Sequence, residues 1–253
     1  MKIVFKRFFA YLLDIILVTL ISSILISVKF INVEYDKYME VYNKYATEHK
    51  EYNKVNDNIF LSYEDKKITN KEYKKIIKID NQYSNELKKY YEDKKISNKE
   101  FNTYIEKINK DYSKVQLDNS YLLTKYSKIN VIITSLCILL YFTLMPYFCK
   151  GQTFGKKIMG IKIVSSKDKK LKYSNYLLRS LIVNEVFINI LNVLCILILS
   201  KNNFIMYNKI MYVVTYILEV SIVISILFDK NNRGIHDLLS GTKVIGIEGY
   251  NEV

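Results

Sequence analysis

Residues 6–26 read KRFFAYLLDIILVTLISSILI, an apolar run broken by one acid, Asp14. A carboxylate placed in hydrocarbon costs several kcal/mol unless it is neutralised, paired or hydrated, so its presence needs a chemical reason. Arg7 precedes it by seven residues, two helical turns, which sets the two on one face about 10 Å apart. Arg179 opens a later apolar run, and Glu185 follows it at a depth similar to Asp14. Asn189 and Asn192 continue the Glu185 face at i+4 and i+7. Glu219 falls in the middle of the last run, and Arg233 and Asp237 stand together beyond its end. Two chemistries fit this set. Charges on different helices can pair and hold the spans in register. Alternatively, Asp14, Glu185 and Glu219 exceed the arginines at comparable depth, which leaves one carboxylate for a proton or cation relay whose pKa burial raises.

The arginines are informative because they are so few: Arg7, Arg179 and Arg233 are the only three among 38 basic residues. A planar, permanently charged fork suits buried carboxylate pairing in a way that lysine does not. His236 beside Asp237 points elsewhere on a helix or strand, and no Ser or Cys nucleophile motif accompanies the pair, so no catalytic residue is assigned and an enzyme is not expected. Cys137, Cys149 and Cys195 have no paired spacing, which indicates neither a disulfide framework nor a zinc site. No cofactor is expected.

Four apolar runs, 8–31, 129–149, 176–199 and 210–228, must position these residues. Each is long enough at about 1.5 Å per residue to cross a hydrocarbon core of about 30 Å. The sequence therefore predicts an all-α membrane protein of four transmembrane helices. The first run is too long for a signal peptide, carries Asp14 and lacks a small-residue cleavage site, so it is expected to be retained. The chain divides into a first span (1–31), a polar insertion (32–128), a second span (129–149), a Gly/Lys-rich loop (150–175), the third and fourth spans (176–228) and a tail (229–253). Lysine asymmetry places both termini and the loop, which carries eight lysines against Asp168, in the cytoplasm. Residues 32–128 then lie outside a multi-pass cell-membrane protein; their twenty lysines nearly balance seventeen acids, and long segments translocate largely regardless of charge. The net charge of +13 is concentrated beside the spans, where anionic lipid accounts for it, and nucleic acid is not expected as a partner.

The insertion repeats itself: YEDKKITNKEY at 63–73 returns as YEDKKISNKEF at 91–101, an offset of four heptads. Tyr35, Tyr38, Tyr42, Tyr45, His49 and Tyr52 step by three and four, as do Tyr73, Ile76, Asp80, Tyr83, Leu87 and Tyr90, the pattern of helices packed as a coiled coil. Thr69 with Glu72 and Ser97 with Glu100 form capping boxes, so three helices are expected, near 33–67, 70–95 and 98–128. Whether the first reverses at NDN, 56–58, or one box marks a kink stays open. So does the insertion's role, a solvated spacer or a surface for a protein partner.

After the second span comes KGQTFGKKIMGIKIV, 150–164. A P-loop needs four residues between its Gly and Gly-Lys, then Ser or Thr; here three intervene and Lys157 follows. The glycines suit turns at the membrane surface, and GIKIV reads as a strand that can pair with GTKVIGI, 241–247. Arg7 with Asp14, this glycine segment, Arg179 in YLLRS and RGIHDLLSGTKV together resemble the RDD family of bacterial membrane proteins, named for one arginine and two aspartates. Arg7 and Asp14 match the first two letters and Asp237 the third. The resemblance covers 1–30 and 129–247 and leaves the insertion outside it. It implies ion transport as a role of some members, which in a four-span chain implies a homodimer.

Overall fold

A computed structural model describes residues 3–64, 85, 98–167 and 169–247. Contacts divide the chain into two units, one of Met1–Tyr35 with Ser127–Val253, the other of Asp36–Tyr126.

In the first unit, α1 (Ile3–Ser27) buries Ala10, Asp14, Val18 and Ser22, a stripe at every fourth residue. It packs on α4 (Lys128–Phe148), on the five-residue α5 (Phe154–Ile158) and on β1 (Ile161–Ser165). Then follow α6 (Tyr173–Val183), α7 (Val186–Ile198), α8 (Lys201–Phe228), α9 (Ile235–Ser240) and β2 (Thr242–Gly246). The two strands expected from the sequence pair antiparallel, Ile161 opposite Gly246 through Ser165 opposite Thr242. Their alternation buries Ile161, Ile163 and Val244 against Ala10 and Tyr176. Gly151, at φ +91°, donates from its amide to the Pro146 carbonyl and accepts from the Ile163 amide, and any Cβ there would lie 2.1 Å from the Ile163 oxygen.

Among the described residues, three helices, α1, α4 and α8, are each long and apolar enough to cross a membrane. The third expected span is bent: α6 and α7 meet at 62° and are long and apolar enough to cross a membrane only when taken together as one broken span. The physical cause is Glu185, held left-handed at φ 52°, which for a residue with a Cβ costs about 1–2 kcal/mol. The break is tethered from both sides. Tyr11 of α1 donates to Asn184 Oδ1 at 3.2 Å, and Asn184 Nδ2 donates to Ser180 Oγ at 3.1 Å.

The second unit pairs α2 (Tyr35–Glu64) with α3 (Asn98–Tyr126). Asn119 donates to Glu48, the Tyr112 hydroxyl and His49 Nδ1 lie 2.6 Å apart, and Tyr52 donates to Asn109 at 2.6 Å. Partner numbers fall along α3 as they rise along α2, so the two run antiparallel. Tyr52 stacks on Tyr112, centroids 3.5 Å apart, and His49 is packed among rings. The expected middle helix, near 70–95, lies outside the described residues apart from Asn85, as do both capping serine and threonine positions.

Candidate functional site

Asp14 is fully buried, and its oxygens are held from two elements. Oδ1 accepts from the Tyr141 hydroxyl of α4 at 2.6 Å and from the Gly155 amide of α5 at 2.7 Å. Oδ2 accepts from Thr153 Oγ1 at 2.5 Å, with Lys156 Nζ at 3.7 Å. The loop that fails the P-loop spacing still wraps an anion, the carboxylate of its own chain. This requires Gly155: a Cβ there would sit 2.1 Å from the Ala10 carbonyl oxygen of α1. Arg7 is not the partner of Asp14, although both lie on α1. The side chain of Arg7 turns instead to the tail, where it meets Asp237.

Asp237, also fully buried, gathers two of the three arginines. Arg7 donates to Oδ2 at 2.6 Å and to the Asn232 carbonyl, and Arg179 of α6 pairs with Oδ1. Thr242 Oγ1 of β2 donates to Oδ1 at 3.1 Å, and the Gly234 amide donates to Oδ2 at 3.1 Å, closing the first turn of α9. Asn175 at the start of α6 donates to the Ser240 carbonyl at the end of α9 at 2.9 Å. One aspartate thereby joins α1, α6, α9 and β2.

His236 does face this cluster, against the sequence expectation that it and Asp237 diverge. The short α9 buries both: His236 Nε2 is 3.4 Å from Asp237 Oδ2 and 3.3 Å from the Arg7 guanidinium. Burial first, then the charges of Arg179, Arg7 and Lys156, hold the imidazole far below its ordinary value, so it is neutral. Lys156 behaves in the same sense. Burial pushes its ammonium down to about 8, against the opposing pull of Asp14.

The remaining residues of the expected set lie elsewhere. Arg233 pairs with Asp229 at 3.0 Å, four residues earlier, at the end of α8; the Arg233 hydrogen bonds hold that carboxyl down to about 2. Glu185 sits at the span break, only partly covered, within electrostatic reach of Glu219, which is exposed on α8. Asn192 accepts from Tyr207 at 2.8 Å, and Asn189 lines an apolar cleft between α4 and α7 with Ser135 and Val186. Tyr141, Thr153, Gly155, Lys156 and Thr242 were not expected from the sequence. Their only signal there was the glycine segment's Thr and Lys. Among the described residues no three His, Cys, Asp or Glu side chains converge as a metal-binding group, and the three cysteines are free thiols. The arrangement can neutralise two carboxylates and tie elements together; it holds no nucleophile poised against a base.

A family model described as RDD family matches residues 112–241, just over half of the chain. The match takes in Arg179, the glycine segment and Asp237, whereas Arg7 and Asp14 precede it. Comparison with curated proteins and with solved structures gave no match.

Proposed function

The chain belongs to the RDD family, and from that premise we propose a non-catalytic, multi-pass cell-membrane protein whose buried Arg–Asp set clamps its spans together at their cytoplasmic ends. The spans number four when α6 and α7 count as one bent crossing. Lysine asymmetry supports cytoplasmic termini and a cytoplasmic 150–175 segment, with residues 32–128 outside. The insertion then stands as an outer coiled coil, a spacer or a dock for a protein partner, a role supported by the antiparallel pairing of α2 with α3.

One observation carries the clamp. Both oxygens of each buried carboxylate are already engaged by the chain itself, Asp237 by four donors and Asp14 by three with an ammonium nearby, against roughly four lone-pair sites apiece, which leaves little capacity for a transported ion. Tyr141, Gly155 and Thr153 donate to Asp14, with Lys156 Nζ 3.7 Å away, and Arg7, Arg179, Thr242 and Gly234 serve Asp237. Removing one partner strands a buried charge, so Asp237→Asn and Arg179→Gln should each destabilise by about 3–5 kcal/mol and lower the amount of protein in the membrane. Their double variant should fall little further than either alone. Normal abundance and thermal stability of Asp14→Asn and Asp237→Asn, with ion flux lost, would overturn the clamp.

Proton or cation transport is a second reading, supported by the broken span at Glu185 and the nearby Glu219. Discontinuous helices are where membrane carriers bind coupling cations, at unwound carbonyls and half-helix C-terminal ends. Flux into proteoliposomes that disappears in Glu185→Gln while abundance holds would favour it.

A further inference from the structure

We infer that the exposed face of α8 bearing Tyr212, Tyr216 and Glu219 packs against α8 of a second copy of this chain. The inference rests on the membrane reading above. Although α8 touches α7 and α9, none of its most apolar 18-residue stretch is buried within the chain. Lipid alone would suit a wholly apolar helix, but this face is not apolar. Tyr212, Tyr216, Glu219 and Val223 follow one another at steps of four, three and four, so they form one stripe. Tyr212 is 76% exposed, Tyr216 61% and Val223 56%, and Glu219 is exposed between them. Among the described residues, none of the three polar side chains has a hydrogen bond or ion pair within the chain.

Glu219 lies at the centre of the apolar stretch 210–228, about 14 Å of helix from either end, too deep for its short side chain to reach water. Acyl chains offer no donor to its carboxyl and no acceptor to the two phenols, so this face is disfavoured against lipid. A second copy supplies both because the stripe is self-complementary. Two copies inserted in the same orientation relate by a two-fold axis along the membrane normal, which sets like depths opposite each other. Glu219 of one copy then lies within about one helical turn of the partner's Tyr216, and the reverse holds at the same time. Each Tyr216 hydroxyl donates to a Glu219 carboxyl across the interface. The opposite face of α8, with Ile210 and Ile217, is as exposed, but its polar side chain, Ser221, already donates to the Ile217 carbonyl of the same helix at 2.7 Å, so it is left to lipid.

The test uses full-length protein with Cys137, Cys149 and Cys195 replaced by serine and one cysteine introduced on α8, oxidised in native membranes. Disulfide-linked dimers are expected from Tyr212→Cys, Tyr216→Cys and Val223→Cys, and none from Ile210→Cys or Ile217→Cys. In lipid nanodiscs, Glu219→Leu should weaken self-association at least tenfold while leaving the monomer's melting temperature unchanged. Equal cross-linking from both faces, cross-linking only to a different protein, or an undiminished Glu219→Leu dimer would each overturn the inference. Extraction by alkaline carbonate separates the two failures. Protein retained in membranes without stripe-specific dimers sinks the interface alone, and protein released by carbonate sinks the membrane reading with it.

Discussion

The charge of His236 is decided by its surroundings. Its Nε2 faces the Arg7 guanidinium, its Nδ1 has no hydrogen-bond partner among the described residues, and Lys156 and Arg179 add further positive charge, with Asp237 the opposing group. The folded state therefore keeps the ring neutral, while the unfolded chain takes up a proton below the ordinary value of 6.5. Above that pH the group contributes no slope. Below it the unfolded state binds the extra proton, and stability should fall by about 1.4 kcal/mol per pH unit. Chemical denaturation in detergent at pH 7, 6 and 5 should show this fall in the wild type and a flatter profile in His236→Asn; equal slopes would mean that another group titrates. Lys156 has the same sign in an alkaline window. Its folded value near 8 lies below its ordinary 10.5, so stability should rise between those two pH values, and Lys156→Met should remove the rise. Asp14 illustrates why such partners were hard to read from sequence. Charge directed attention to the three arginines, whereas two hydroxyls and a backbone amide supply the hydrogen bonds to Asp14, and none of these stands out in a chain containing 23 tyrosines.

Among the elements, α5 depends most on its neighbours. Five residues form no stable helix by themselves, so α5 exists because its Gly155 amide and the preceding Thr153 dock on Asp14 and its backbone lies against α1. Gly155→Ala tests this directly. The new methyl would overlap the Ala10 carbonyl, lift α5 and strip donors from a buried carboxylate, a loss of about 2 kcal/mol or more. Gly246→Ala, where a Cβ would meet nothing within 4 Å, should leave the melting temperature in detergent unchanged. Comparable losses in both would point to glycine's general effect and remove the docking argument. The elements also divide by how legible they were. The pair β1 and β2 could be read because alternating Ile and Val bounded by glycines carries its own period. A single-turn helix has no period to detect, so α5 could not be found that way. Nor could the bend at Glu185, because neither Gly nor Pro marks it and the apolar run continues on both sides.

At the scale of the molecule, the chain leaves and re-enters the first unit at one place. Asn32 donates to Asn130 at 2.7 Å and Lys128 pairs with Glu34 at 2.5 Å, all four residues belonging to that unit. The amphipathic steps of the insertion were legible, and so was its separateness, since a polar segment of that length has no place among apolar spans. Its internal order was not: tyrosine spacing marks a packing face but does not say which helix meets which, and the antiparallel pairing of α2 with α3 resolves that for the described part. Because the exit and entry points are fastened within the first unit, the spans should not need the insertion to find one another. Replacing residues 36–126 by a short Gly/Ser linker closes a far smaller loop, and closure entropy grows only with the logarithm of loop length, so the change favours folding slightly. The shortened protein should insert at wild-type abundance and melt in detergent within a few degrees of the full chain, and it should still lose stability when Asp237→Asn is added. A shortened chain that is degraded, or that no longer responds to Asp237→Asn, would mean that the insertion helps build the bundle, and the division of the chain into two separately stabilised units would have to be abandoned.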